Sequence, residues 1–319
     1  MIHAGTHKTA TSYIQSRIKQ NITSLSDAGV YVRYPSNNAQ KHKPLATWLS
    51  NQNFEEWDNY LHAVPDDINN VLVSAEQFTQ PISKKKLFKP LKTLLAQRGF
   101  QLRIVIFVRD QPDYMNARYV HSTRRLYHAE SFEEYVSKQL RERELVYDYS
   151  VLFKDLIAFL GSHIDFLPYG STYGDPFDRL MNSQSWQSSS GWKPADPSKR
   201  NIQPGCKGVW LAQQVFRQLT KAGINASSLR NTGGVIRDIS SKSGWEEQRF
   251  YGFTPDLYAR VVKHYQSCNN SFAQAVWNCD WSSVFPMQNI PQAIYEGPMS
   301  DQENEAMHRL VMKCVKKLS

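Results

Sequence analysis

Residues 104 to 108 read Ile-Val-Ile-Phe-Val, an unbroken apolar run that stops at Arg109-Asp110. A strand with one wet face alternates apolar and polar side chains, and this one does not. It must be covered on both faces, which is the condition of a parallel strand under helices. The stretch "NVLVSAEQF" (70–78) is a second run of the same kind, and "HIDFLPY" (163–169) is a shorter third. Helical spacing fills the intervals. It predicts a helix over 9–27, with Ile14, Ile18, Ile22 and Leu25 on one side and Gly29 as the stop. Further helices are predicted near 42–50, 53–63, 83–98, 112–125, 131–143 and 147–160, with "VYVRYP" (30–35) as a short extended piece. Strands alternating with helices define an α/β fold with a parallel sheet.

The remainder of the chain has a different pattern. Residues 181–206 are rich in Ser, Pro and Gly and read as a long loop or lid. Helices follow at about 207–222, 254–278 and 301–317, the second opened by Thr254 as N-cap and Pro255 at its first position. With no internal repeat, one domain over 1–319 is expected: an α/β core over 1–180, the loop or lid over 181–206, and a mainly helical C-terminal portion over 207–319.

Composition narrows the class of protein. Apolar content of 41% suits a buried core, yet no apolar run approaches the roughly 18 residues of a membrane span. Polar "THKT" interrupts the N-terminus too early for a signal peptide. Cys206, Cys268, Cys279 and Cys314 are widely spaced, without C-x-x-C pairs or His partners at zinc spacing, so they read as reduced thiols in a cytoplasmic protein with no metal site. The surplus of 38 basic over 29 acidic residues gives +9. That charge fits an anionic partner: nucleotide, acidic glycan, nucleic acid or, peripherally, anionic lipid headgroups. It equally fits simple solubility, and "KKK" at 84–86 reads as a solvated helix face. No RRM, zinc-finger or basic-helix signature points to nucleic acid.

In a parallel sheet ligands sit beyond the carboxyl ends of the strands. Gly5–Ser12, Ser74–Phe78, Val108–Pro112 and Pro168–Tyr173 are expected along that edge. The first of these, in "IHAGTHKTATSYIQ" (2–15), is a scrap of strand, a small-residue loop with one Lys, and a helix start. Loop and helix N–H groups converging there suit a phosphate, with Thr9, Thr11 and Ser12 as hydroxyl donors and Lys8 able to reach a leaving oxygen. The alternative is a simple helix cap with Lys8 solvated. The Walker A pattern G-x-x-x-x-G-K-[ST] is not met, since two residues separate Gly5 from Lys8 and Ala10 stands where a second glycine would. Arg109 at a strand end suits bidentate contact with an anion, or a structural pair with Asp110 or Glu76. Asp110 itself can be read as a magnesium-binding acid. Glu76, just past its strand, is placed to act as a general base or to serve as a cap or as a partner for Arg109. His42, in "QKHKPL", is the other candidate base. "GSTYG" (170–174) places Thr172 where a hydrolase nucleophile elbow needs Ser.

Taken together these residues resemble the PAPS-dependent sulfotransferases, especially bacterial carbohydrate-type members. The first loop of that family reads G-x-x-K-[TS]-[GA]-[TS]-[TS], and "GTHKTATS" fits it at Gly5, Thr6, His7, Lys8, Thr9, Ala10, Thr11 and Ser12. "GVYVRYP…KHKPLA", "VLVSAEQF", "YDYSVLFKDL", "RNIQPG" and "FTPDLYARVVKHYQSCNNSFAQAVW" also look like segments of the bacterial enzymes, so the likeness runs patchily from residue 2 to about 285. The resemblance implies a P-loop-type sheet and a loop that holds the 5′-phosphosulfate of PAPS. It further implies a strand-end Arg109 on the 3′-phosphate, with Lys199 and Arg200 in "SKRN" as weaker contacts. The family places a Ser eight residues after that Arg, whereas this chain has Ala117, leaving Asn116, Arg118 or Ser122 as substitutes. The implied chemistry is metal-independent in-line sulfuryl transfer to a hydroxyl or amine of a carbohydrate or glycoconjugate. Glu76 would be the base, His42 its rival, and Lys8 would steady the leaving oxygen. Trp186, Trp192, Tyr173 and Trp245 are candidates to stack on sugar rings or to fill the core. The competing expectations are a P-loop kinase or NTPase using Mg-ATP and a non-catalytic polyanion-binding protein.

Overall fold

The structure is a computed structural model that describes residues 1–6, 8–35, 41–142, 144–196, 203–224, 229, 234–290, 297–298 and 300–318. In chain order its elements are β1 (Ile2–Gly5), α1 (Thr11–Gln20), α2 (Ile22–Asp27), β2 (Val30–Tyr31), α3 (Lys43–Ser50), α4 (Phe54–His62), β3 (Asn70–Val71) and β4 (Val73–Ser74). A 3₁₀ turn over Glu76–Phe78 leads to α5 (Thr79–Ile82), α6 (Lys85–Gln97), β5 (Ile104–Arg109), α7 (Gln111–Arg124) and α8 (Phe132–Glu142). Then come α9 (Tyr149–Leu152), α10 (Lys154–Leu160), β6 (Ile164–Tyr169), α11 (Pro176–Ser183), α12 (Gly205–Lys221), α13 (Gly234–Lys242), α14 (Pro255–Trp277), α15 (Trp281–Val284) and α16 (Asp301–Leu318). The protein is α/β: a four-stranded parallel sheet in the order β4-β1-β5-β6, flanked by helices, with β2 and β3 forming a separate parallel pair. Among the described residues no helix is long and apolar enough to cross a membrane.

The chain divides into two compact units, each assembled from separate stretches. The first comprises Met1–Asp110, Leu145–Lys199 and Gln266–Pro286, and holds all six strands. Its sheet is buried on both sides, as the uninterrupted apolar run requires. Ile104, Ile106 and Val108 face one core with Phe78, Phe88, Phe153 and Phe272. Val105 and Phe107 face another with Ile14, Ile18, Phe177 and Leu180. Each fully buried side chain of this size contributes roughly 1.5–3 kcal/mol, so strand β5 anchors two cores at once.

Three local departures from the sequence expectation have physical causes. The helix expected over 9–27 is broken at Asn21, whose buried amide donates to the carbonyls of Arg17 (2.8 Å) and Lys193 (3.2 Å) while its oxygen accepts from the Lys193 N–H (2.7 Å). A side chain that binds backbone in this way competes with helix continuation. The break turns Ile22 outward, 40% exposed, while Ile14, Ile18 and Leu25 stay in the core. The run 70–78 is not one strand. Asn70–Val71 pairs with β2 and Val73–Ser74 with β1, so Leu72 is the crossing point between two sheets. The helix expected over 147–160 is interrupted at Phe153, between α9 and α10.

The second unit comprises Gln111–Glu144, Arg200–Tyr265 and Met287–Ser319. Here α12 packs on α7, α13 and α16 around Leu126, Leu211, Val215, Leu219, Ile236 and Val311. Gly208 of α12 lies so close to Ser240 of α13 that a Cβ would stand 2.4 Å from its hydroxyl.

In the first unit, α1 and α11 are joined by a buried arginine. Arg17, 4% exposed, donates to Asp175 and Asp178 at 3.1 Å each and to the Tyr13 hydroxyl at 2.8 Å, and its guanidinium stacks 4.5 Å from the Phe177 ring centre. Asp175 also caps α11 by accepting from the N–H groups of Phe177 and Asp178. Breaking a buried ion pair costs about 3–5 kcal/mol, and both carboxylates here keep some access to solvent. Arg17→Ala is therefore expected to lower unfolding stability by about 2–3 kcal/mol, read from urea denaturation.

Candidate functional site

The loop after β1 is held in an unusual backbone shape. Lys8 and Ala10 both have positive φ, 70° and 60°, which costs a residue with a Cβ roughly 1–2 kcal/mol each. The shape persists because its neighbours hold it from several sides. The Thr6 N–H and hydroxyl both reach the Phe107 carbonyl at 3.2 Å. The fully buried Thr9 hydroxyl donates to the Thr6 carbonyl at 2.6 Å, and the Thr79 hydroxyl donates to Gly5 O at 2.6 Å. Arg109 Nη1 donates to the Lys8 carbonyl at 3.2 Å. Gly5 is required by space: a Cβ there would stand 2.5 Å from the Thr9 hydroxyl and 2.7 Å from that of Thr11.

Left-handed residues in a turn can direct neighbouring N–H groups to one side, the arrangement of an anion-binding nest. Helix α1 begins at that turn with Ala10 at its N-cap, no side-chain cap and no acidic residue in its first turn. Its first N–H groups therefore have no intrahelical acceptor and, among the described residues, no side-chain cap. The Thr11 hydroxyl, on a residue 4% exposed, has no hydrogen-bond partner among the described residues and faces the space beside Gly5. Ser12 is exposed one position further on. A buried orphan hydroxyl, uncapped helix donors and an over-determined strained turn are what a bound anion would complete. His7 lies outside the described residues.

Other sequence candidates fall on the same edge of the sheet in the first unit. Arg109 ends β5, with its guanidinium carbon 5.5 Å from the centre of the Tyr169 ring and its carbonyl held by the Tyr149 hydroxyl. Glu76 is partly buried and opens the 3₁₀ turn after β4; Thr79, which follows that turn, is the residue bound to Gly5 O. Asp110 is buried and accepts the indole N–H of Trp281 at 2.9 Å.

His42 is differently placed. It is 1% exposed, just before α3. Nδ1 accepts the Ser74 N–H at 3.2 Å, so the proton sits on Nε2, which donates to the Arg33 carbonyl at 3.0 Å. A base needs a lone pair to give, and this ring has committed its lone pair to the backbone. Ala117 is 5% exposed in α7 of the second unit. Its neighbour Asn116 clasps the Phe250 carbonyl and the Gly252 N–H, Arg118 pairs with Glu144 at 2.7 Å, and the Ser122 hydroxyl meets Arg118 O, Tyr119 O and His128. Lys199 and Arg200 lie outside the described residues.

Comparison of the chain with protein-family models, curated proteins and solved structures gives no match. The site is therefore described by its own geometry. That geometry adds two residues the sequence reading missed: Thr79, which secures Gly5, and Arg179 in α11. Arg179 donates to the Pro168 carbonyl and lies 5.8 Å from the Phe107 ring centre and 5.1 Å from that of Tyr173. The Asp175-Pro176 pair, an N-cap followed by a first-position proline, was the available signal for a helix beginning just beyond β6.

Ser74 joins two buried histidines, since its hydroxyl also meets His3 Nδ1 at 2.8 Å. Burial pulls the pKa of His42 down to about 4 and that of His3 to about 3. The unfolded chain then binds more protons than the folded one below about pH 6.5, the ordinary His value, so stability is full above that pH and falls as the solution is acidified. The expected slope between about pH 6 and pH 4 approaches 1.4 kcal/mol per pH unit for each histidine. His42→Gln should flatten it by one histidine's share when urea midpoints are compared across that range.

Proposed function

We propose that the protein transfers a sulfuryl group from PAPS to a hydroxyl of a carbohydrate or glycoconjugate. The observation that carries this reading is the turn after β1: left-handed Lys8 and Ala10, a following helix without a side-chain cap, a buried Thr11 hydroxyl and no room for a Cβ at Gly5. Its sequence is the one that resembles the 5′-phosphosulfate loop of the sulfotransferases, and it lies at the carboxyl edge of a parallel sheet; a P-loop-type sheet is part of the proposal. The fit is to one compact anion lying against a helix N-terminus.

Within this reading the loop N–H groups and the Thr11 and Ser12 hydroxyls bind and orient the phosphosulfate, and Arg109 binds the 3′-phosphate. The acceptor oxygen attacks sulfur, the bond from sulfur to the bridging oxygen breaks, and the electron pair leaves with adenosine 3′,5′-bisphosphate (PAP). Glu76 takes the acceptor's proton. Lys8 and the loop amides offset the charge that develops on the departing oxygen. Glu76 is preferred to His42 because both ring nitrogens of His42 are engaged by backbone groups. The glycan class of acceptor follows from the resemblance alone. Trp186 is buried, Trp192 packs edge-on against Phe177, and Trp245 packs with the second unit's core, which leaves partly exposed Tyr173 as the aromatic candidate nearest the strand ends.

Calorimetry with PAP in EDTA is expected to show micromolar-range binding without metal. No heat with PAP beside clear heat with Mg-ATP would overturn the reading in favour of a kinase or NTPase. Glu76→Gln should reduce PAP release from PAPS, assayed with a panel of hydroxylated glycans, by about 10²–10⁴-fold and leave PAP affinity within about twofold. Lys8→Ala should lose both turnover and tight binding.

A further inference from the structure

Arg179 has no part in the loop, yet it occupies the same edge of the sheet. Period-two alternation along β5 places Arg109 on the face of Val105 and Phe107, and the pairing of Arg109 with Tyr169 brings β6 alongside. Arg179, reaching in from α11, covers Phe107 on that same face and donates to the carbonyl of Pro168, the residue before Tyr169. The two guanidinium groups thus share one face at the carboxyl ends of β5 and β6. The Tyr169 ring lies beside Arg109 and the Tyr173 ring beside Arg179.

The charge on Arg179 is the informative part. It is half-buried, and burial lowers its pKa from the usual arginine value. Among the described residues no carboxylate offsets it; its one electrostatic neighbour is Tyr173. Arg17, on the adjoining helix, shows how the fold treats an arginine it uses structurally: two aspartates and a tyrosine hydroxyl close around it. A half-buried guanidinium faced by two aromatic rings and one carbonyl, with no carboxylate, gains further when an anion from outside meets it. A guanidinium that spends one donor on a carbonyl keeps the rest of its fork for phosphate oxygens.

We infer that Arg179 is the second arm of a fork, with Arg109, that grips a second phosphoryl group of the ligand whose first anion lies in the Gly5–Ser12 loop. This rests on the reading of the site as a nucleotide site and deepens it. The binding energy that distinguishes a 3′,5′-bisphosphate from a 5′-monophosphate then comes from the β5–β6 end of the first unit.

The test compares PAP with AMP by calorimetry on the wild-type chain, Arg179→Ala and Arg179→Lys. Wild type is expected to prefer PAP, and Arg179→Ala to weaken PAP binding about 10–100-fold, the size of one or two charged hydrogen bonds. AMP affinity should change by less than about twofold. Arg179→Lys, which keeps the charge and loses the fork, should fall between. A ligand-free thermal melt within about 2 °C of wild type shows that the variants are folded. If PAP binds the wild type and Arg179→Ala leaves the PAP-to-AMP ratio unchanged, this inference fails and the function stands. If the wild type binds neither nucleotide, the function fails and this inference falls with it. Equal weakening of both nucleotides also overturns it, because Arg179 would then act on the first anion.

Discussion

The carbonyl of Phe107 holds the candidate site together. It lies in the most deeply buried strand of the sheet and accepts two hydrogen bonds from Thr6, one from the N–H and one from the hydroxyl. Two residues on, the same strand ends in Arg109, which takes the Lys8 carbonyl. The opening loop is thereby fastened at two points to a strand that anchors both cores. Without that fastening, two left-handed non-glycine residues separated by Thr9 would relax at a gain of roughly 1–2 kcal/mol each. The strain is retained because the strand cannot move. For the anion-binding role proposed for this loop the gain is preorganisation, since a backbone already fixed needs no ordering when a ligand arrives.

Helix α11 divides two kinds of work between its residues. Asp175 and Asp178 face α1 and neutralise Arg17, fixing the helix that carries the loop's uncapped N-terminus. Arg179, the next residue, points over the strand ends instead. Because Asp175 already serves a helix cap, a tyrosine and an arginine, it has little capacity left for the cation one turn further along α11. Structural neutralisation on one side of the helix is thus separated from an uncompensated charge on the other.

How much of this was legible beforehand follows from which forces are local. The strand at 104–108 and the helices at 43–50, 54–62 and 111–124 were readable because periodicity and terminal residues act within a few positions. The opening loop was readable as a turn between a short strand and a helix start from its small residues and one Lys. Its left-handed turns were not, because Lys8 and Ala10 are not residues that favour positive φ; hydrogen bonds from residues some 70 to 100 positions away impose it. The division of 70–78 between two sheets was also hidden, since an apolar run does not say which neighbour each half will pair with. Asn21 interrupts its helix by meeting Lys193, again a distant partner. The gathering of 111–144, 200–265 and 287–319 into a separate compact unit is likewise a matter of long-range packing, which the composition along the chain does not mark.

Ala117 brings these threads together. Where the resemblance leads one to expect a Ser, α7 carries Ala117 with Asn116, Arg118 and Ser122 as its polar neighbours. Each already has a structural task. Asn116 spends both ends of its amide on the backbone at 250 and 252, and releasing it would leave buried N–H and C=O groups without partners, at a cost of about 1–3 kcal/mol each. Ser122 donates into its own helix and meets His128, and Arg118 closes an ion pair with Glu144. Each of the three is thus committed within the second unit. Arg179 is under no such constraint. Its one hydrogen bond is to a strand carbonyl, its charge is not offset by any described carboxylate, and it stands on the Arg109 face of the sheet. For the second anion proposed at the β5–β6 end, that leaves Arg179 as a cation of the first unit that no described carboxylate has already neutralised.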